Sequence, residues 1–396
     1  MEKETLWIIS ELFPPEETST GYIMGEIANA MTKKYNVKVI CGPEVYDDKK
    51  KNVNETSLSI DKSIEVLRVP AVKENKSSKL SRIKKFVLMS WKLYRVSRKC
   101  IKTGDRVLMV SNPFPLIILM GHLRRKRDFQ LSMLVHDVYP EGLYTDMSLP
   151  ALAYSLSKKI FDKSYSRVDT LISLGRDMNE VLYAKCYNQK NQPEVITIEN
   201  WGDVDGIVPR ERPDDGYIKL QYAGNIGNAQ GVKEFIEFLH DANNPIVKLD
   251  IWGTGSAEEA IKNKVNELGM DEQVSFKGPY SRNNQIKVLN DADLSIVTLV
   301  KGMYGLGVPS KTYNILSAGK PILYIGERGS EIWLTVEENN IGYCFEPEDK
   351  KGIVSFIKSL TKNVKPQLTR QGEKARAVVE CKYSKDVILK KFITAI

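Results

Sequence analysis

The sequence predicts an α/β protein whose two doubly wound domains face each other across a cleft. Three observations carry this prediction. Short apolar strands alternate with amphipathic helices throughout the chain. The alternation pauses once, at "NWGDVDGIVPRERPDDGY" (200–217), where Gly, Pro and charged residues dominate as they do in linkers. Finally, 396 residues are too many for one core and suit two domains of about 150–200 each.

In the first half, "LWIISELF" (6–13) is an apolar run of strand length, and "GYIMGEIANAMTKKY" (21–35) repeats its apolar positions at helical spacing. "VKVICG" (37–42), "DRVLMVSN" (105–112), "LSMLVHDV" (131–138), "DTLISLG" (169–175) and "EVITIEN" (194–200) read as further strands. After the linker come strand "IKLQYAGN" (218–225), helix "GVKEFIEFLHDA" (231–242), strand "VKLDIWGTG" (247–255) and helix "AEEAIKNKVNELG" (257–269). Strand "VSFKGPY" (274–280), helix "SRNNQIKVLNDA" (281–292) and strand "LSIVTLV" (294–300) continue the pattern. A Gly-Val-Pro-Ser-Lys turn then opens a short helix that stops at Gly319, with Pro321 just beyond. Strand "PILYIG", helix "SEIWLTVEENN", strand "GYCFEP" and two helical stretches complete the chain. The expected division is a first domain over 1–200, a linker over 201–216, a second domain over 217–375, and a C-terminal helix over 376–396 packed back on the first domain.

A formal charge of +8 points to an anionic partner, either a phosphate ligand or a membrane surface. Residues 73–102 are heavily cationic, with Glu74 the one acid, and apolar residues such as Ile83, Val87 and Trp91 lie between the charges. That composition suits a basic amphipathic helix on a membrane, although a domain helix with solvated lysines is the ordinary alternative. A second basic cluster occupies 124–127. No nucleic-acid motif accompanies the charge. The five cysteines (Cys41, Cys100, Cys186, Cys344, Cys381) form no CxxC and read as reduced thiols. No signal-peptide pattern and no apolar run of spanning length is found, so the expected location is cytoplasmic, with peripheral contact to the inner face of the membrane.

Ligands of open α/β sheets bind beyond the carboxyl ends of strands, so the loops there are the candidate site. "YAGNIGNAQGV" (222–232) brings Gly224, Asn225 and Gly227 to the start of a helix, where free N–H groups suit a phosphate; a plain glycine-rich turn is the alternative. "IWGTGS" reads as a structural turn. In "GVPSKTYNILSAGKPI" (307–322), Gly307 permits close approach, Ser310 can cap, and Lys311 adds a positive charge suited to a diphosphate. In the first domain, "FPPEETSTGYIM" ends at a helix start, with Ser19 or Thr20 as cap and Gly21 allowing backbone approach. His136 follows a strand at its carboxyl end, where site residues gather, although by residue type alone a satisfied core histidine is the more usual case. "GDVDG" (Asp203, Asp205) resembles a metal-binding Asp-x-Asp but reads as a solvated turn. No His/Cys cluster is present either, so no metal or other cofactor is expected.

These loops carry a resemblance. "YAGNIGNAQGV", "NDADLSIVTL", "GLGVPSKTYNILSAGKPI" and "GSEIWLTVEENNIGYCFEPED", with "ELFPPEETSTG", "VHDVYPEG" and "ITIENWGD" in the first half, make the chain similar to retaining GT-B glycosyltransferases of the GT4 type. More narrowly it resembles capsule and O-antigen enzymes of the fucosamine-transferase kind. The resemblance implies a GT-B fold of two Rossmann-like domains, the first binding acceptor and the second a nucleotide sugar. It implies donor contacts at Gly224, Asn225, Gly227, Gly307, Ser310, Lys311 and Asn314, and acceptor-side contacts at Thr20 and Gly21. It implies catalytic duties at His136, which would touch the donor sugar, and at Asp137 and Glu141, which would position His136 or the acceptor hydroxyl. The implied substrates are a UDP sugar, such as an N-acetylated deoxyhexosamine, and a polyprenyl-diphosphate-linked saccharide.

Two departures stand out. Asn314 occupies the position of the family's ribose-binding Glu, so it contacts a diol without charge assistance. Asn225 and Gln230 replace the Arg and Lys that neutralise the diphosphate, which leaves Lys311 as the best cation. A nucleotide-sugar 2-epimerase and a non-catalytic sugar-nucleotide binder share the architecture and remain the competing expectations.

Overall fold

The computed structural model describes residues 3–16, 18–44, 58–72, 79–147 and 151–396. Two parallel sheets organise them, as the unbroken apolar strands require. The first contains β1 (Thr5–Ser10), β2 (Asn36–Cys41), β3 (Glu65–Arg68), β4 (Arg106–Val110), β5 (Gln130–Leu134), β6 (Thr170–Ser173) and β7 (Glu194–Thr197), in the order β3-β2-β1-β4-β5-β6-β7. The second contains β8 (Ile218–Ala223), β9 (Val247–Trp252), β10 (Val274–Gly278), β11 (Leu294–Thr298), β12 (Ile322–Ile325) and β13 (Gly342–Phe345), in the order β10-β9-β8-β11-β12-β13. The strand order therefore reverses between β1 and β4 in one sheet and between β8 and β11 in the other. Crevices for ligands open at such reversals.

Helices cover both faces of each sheet. In the first domain they are α1 (Ser19–Met31), α2 (Lys79–Cys100), α3 (Pro115–Lys126), α4 (Glu141–Met147), α5 (Ala151–Tyr165) and α6 (Arg176–Cys186). In the second they are α7 (Val232–Ala242), α8 (Glu258–Glu267), α9 (Gln285–Asn290), α10 (Lys311–Ser317), α11 (Glu331–Asn339) and α12 (Lys350–Ser359). Each buries one stripe; α7 turns Val232, Phe235, Ile236 and Leu239 inward and leaves Lys233 and Glu234 outside. Several strands stop short of the apolar runs that suggested them. β5 ends at Leu134 and β8 at Ala223, so His136 and Gly224 belong to loops, where they are free to face a ligand.

The ends of the chain tie the domains together. α13 (Lys365–Lys382) runs unbroken through residue 376, so the last helix, α14, begins at Lys385 rather than where the sequence suggested. α14 lies against α1: the Tyr35 hydroxyl donates to the Ile396 carbonyl at 2.5 Å, and Lys385 pairs with Glu26 at 3.1 Å. Arg376 of α13 donates to the carbonyls of Val204 and Ile207, which holds the linker against the second domain. The basic stretch expected over 73–102 is helical from Lys79 to Cys100, and residues 73–78 lie outside the described residues.

Candidate active site

A cavity of about 440 Å³ lies between the domains, at the carboxyl ends of both sheets. His136, Asp137, Gly224, Asn225, Gly307, Ser310, Lys311 and Asn314 all line it. Its two walls touch through backbone. The Val138 N–H donates to the Leu306 carbonyl at 2.9 Å, and Asp137 forms an antiparallel bridge with Gly307. The β5–α4 loop is thereby fixed against the loop that follows β11.

On the first-domain wall, Ser111 Oγ accepts from the backbone N–H groups of His136 (3.1 Å) and Asp137 (3.2 Å). His136 Nδ1 lies 3.5 Å from Thr20 Oγ1, and Nε2 has no partner. Burial pushes the imidazole down to about 4, so it is neutral near pH 7. Asp137 keeps an open face to the cleft, yet both domains crowd it and push its carboxyl up to about 6, against the opposing effect of a hydrogen bond with Tyr139. Thr20 thus reaches the cleft through His136. Thr18, rather than Ser19 or Thr20, caps α1, accepting from the Gly21 N–H at 3.0 Å. A Cβ on Gly21 would come within 2.7 Å of the Glu16 carbonyl, so this glycine serves the loop's own packing and does not line the cavity.

On the second-domain wall, Lys311 opens α10. Its ammonium lies 3.5 Å from the centre of the Tyr222 ring, is buried, and has no hydrogen-bond partner. Burial pushes it down to about 7. Gly224, with φ +156°, lets Lys311 pass close by, since a Cβ there would sit 3.3 Å from Lys311 Cδ. Gly253 and Gly255 of "IWGTGS" make room for the carbonyls of Gly224 and Ile226, the structural turn expected. Ser310 precedes α10 but makes no side-chain cap, because its backbone is already helical.

Three further expected site residues are placed elsewhere or already engaged. Glu141 does not line the cavity; its carboxylate is held by Lys185 at 2.8 Å and Lys158 at 3.1 Å, in a cluster completed by Asp162. Burial would raise its pKa, but the two lysines bring it below the usual carboxylate range. It ties α4 to α5 and α6, a correction to the catalytic expectation. Gly227 also stays off the lining, because the Gln230 side chain packs against it. Asn314 lines the cavity, but its Oδ1 accepts from the Asp203 N–H at 3.1 Å, so only its amide donors are left for a ligand.

Sequence reasoning missed Tyr22, Trp201, Tyr280 and Arg282, all of which line the cavity. Tyr280 and Arg282 follow the end of β10 at Gly278, as the recognised loops follow theirs, but the loop has one glycine and no glycine cluster to single it out. Asp203 was read as a solvated turn; it closes that turn, with Oδ1 accepting from the Gly206 N–H at 2.9 Å, and also borders the cavity. Among the described residues, no group of three or more His, Cys, Asp or Glu is gathered as for a metal ion.

Residues 205–378 match the model of the family described as glycosyl transferases group 1. The chain is 28% identical to the probable glycosyltransferase WbjE of Pseudomonas aeruginosa, over 99% of this chain and 97% of that protein. It is 26% identical to the putative colanic acid biosynthesis glycosyl transferase WcaI of Escherichia coli K12, over 58% and 57%. The fold is that of Anabaena HepE, solved in complex with UDP, with TM-score 0.67, 12% identity and 99% of both chains covered. The stretch that matches the family model therefore sits in a GT-B frame, and its α10 carries Lys311.

Lys311 gives a direct prediction. An anion beside it restores its charge, so nucleotide binding at pH 8 takes up about one proton at this residue, and uptake fades as pH falls below about 7. Calorimetry in buffers of different ionisation enthalpy should find that uptake in the wild type and lose it in Lys311→Met. Lys311→Ala should raise donor KM or cut turnover at least about tenfold, equivalent to ~1.4 kcal/mol; wild-type kinetics would reject the role.

Proposed function

We propose that the protein is a retaining glycosyltransferase that moves a sugar from a UDP sugar to a polyprenyl-diphosphate-linked saccharide in capsule or O-antigen synthesis. One observation carries the proposal. Two buried nitrogens without partners, Lys311 Nζ and His136 Nε2, belong to residues on opposite walls of one cavity. Buried polar groups are normally paired, and exceptions gather where a ligand completes them. In the proposed reaction the sugar–phosphate bond breaks, the nucleotide diphosphate leaves with its electron pair, and the acceptor oxygen bonds the anomeric carbon as its proton passes to the departing diphosphate. Lys311 faces the departing charge, and fixed donors in a confined site act strongly on such charge. Neutral His136 offers Nε2 to a sugar hydroxyl. Asp137, ionised above about pH 6, positions the acceptor hydroxyl. In this scheme leaving-group charge is met by protein groups, and turnover needs no metal ion.

We further propose that the first domain rests on an anionic membrane. Ile83, Val87 and Trp91 recur every four residues along α2, and Leu152, Leu156 and Ile160 do so along α5; all six are exposed, Leu152 to 75%. Phe86 and Phe161 both pack tilted against Phe114 at the head of α3, so α2 and α5 flank one point. α2 contains no acid. The 124–127 cluster contributes less than its charge suggests, because Arg124 pairs with Asp169 and Arg127 donates to the carbonyls of Arg98 and Ile101. No helix among the described residues is long and apolar enough to cross a membrane.

Acceptor-dependent UDP release, unchanged by EDTA, is the expected assay outcome. Release without an acceptor would favour an epimerase, and binding without release a non-catalytic binder. Co-sedimentation should detect binding to phosphatidylglycerol-containing vesicles but little to pure phosphatidylcholine, with loss in Trp91→Ser/Leu156→Ser; equal behaviour of that variant would dismiss the apolar stripes.

A further inference from the structure

The cavity is short of positive charge for a diphosphate. Lys311 is only about half-charged near pH 7 before a ligand arrives, and the loop after β8 offers Asn225 and Gln230 in place of cations. Among the residues lining the cavity, the other cation is Arg282. It opens the short turn Arg282–Asn284 after β10, and its guanidinium carbon lies 3.7 Å from the centre of the Tyr22 ring. Tyr22 belongs to α1, in the opposite domain, and itself packs near Trp201, with ring centroids 6.4 Å apart.

This contact occupies the flat side of the guanidinium. The Arg282 side chain has no hydrogen bond and no ion pair among the described residues, so its N–H edge is available. A guanidinium steadied on an aromatic face, with its fork of donors unspent, is well suited to two oxygens of a phosphate. Unlike Lys311, it stays charged at every physiological pH. We infer that Arg282 is the standing phosphate-binding group of the cleft, oriented by Tyr22 and supplying the charge that positions 225 and 230 do not. This rests on the nucleotide-sugar reading of the same cavity. The diphosphate it holds belongs either to the nucleotide or to a lipid-linked acceptor, since Arg282 lies against the first domain.

The test titrates UDP, uridine and geranyl diphosphate into the full chain, comparing wild type with Arg282→Met, Arg282→Lys and Tyr22→Leu. Arg282→Met should weaken UDP at least about tenfold and leave uridine unchanged, equivalent to ~1.4 kcal/mol in the diphosphate alone; Arg282→Lys should recover part of the loss. Unchanged uridine binding also serves as the control for folding. A loss confined to geranyl diphosphate supports the inference with the acceptor as its ligand. Equal weakening of UDP and uridine, matched by Tyr22→Leu, would make Arg282 a mere interdomain strut and overturn the inference. Undiminished binding of both diphosphates in Arg282→Met would overturn it as well, leaving the nucleotide-sugar reading intact. A wild type that binds neither UDP nor uridine would remove that reading and the inference together.

Discussion

A buried ammonium without an acceptor is the constraint around which this cavity is arranged. Leaving a buried polar group unpaired costs about 1–3 kcal/mol, and Lys311 is kept so by its place at the head of α10, beside Gly224 and over Tyr222. The Tyr222 ring face softens the cost without supplying a counter-ion. The same burial pushes the Lys311 ammonium down to about 7. An incoming anion relieves that cost, and no protein group has to be displaced for it to do so.

The opposite wall is fixed by contacts between the domains. Arg176, at the start of α6, pairs with Glu331 of α11 at 3.0 Å, and Tyr304 donates to Glu180 at 2.9 Å. The 301–307 loop has no acid of its own facing the cavity, and it is shaped from outside: Glu327 accepts from the Gly302 and Tyr304 N–H groups, and Asp177 from that of Gly305. Its last residues then bond Val138 and Asp137. His136 therefore faces Lys311 only while the domains are together, so opening of the domains would dismantle the site as well as expose it.

Much of this was legible in the sequence, for physical reasons. Strands buried on both faces have to be continuously apolar, which made β1, β5 and β8 visible, and a linker has to be polar, which exposed the domain boundary. β3 escaped notice because it is a short edge strand, Glu65–Arg68, only partly buried and so under little demand for apolar residues. At the site, the glycine and Pro-Ser-Lys loops announced themselves through backbone requirements that only certain residues meet. Glu141 misled because a strand-end carboxylate looks the same whether it faces a substrate or two lysines; Lys158 and Lys185 lie 17 and 44 residues away along the chain. Arg282 and Tyr22 were hidden for the same reason, since their value arises from a contact between domains that no local pattern records.

The most direct test of the account is a crystal structure of the protein with an unhydrolysed UDP sugar. The account predicts the diphosphate within hydrogen-bond distance of Lys311 Nζ and the sugar on the His136 side of the cavity. A nucleotide bound elsewhere, or a diphosphate with Lys311 still unpaired on Tyr222, would contradict it.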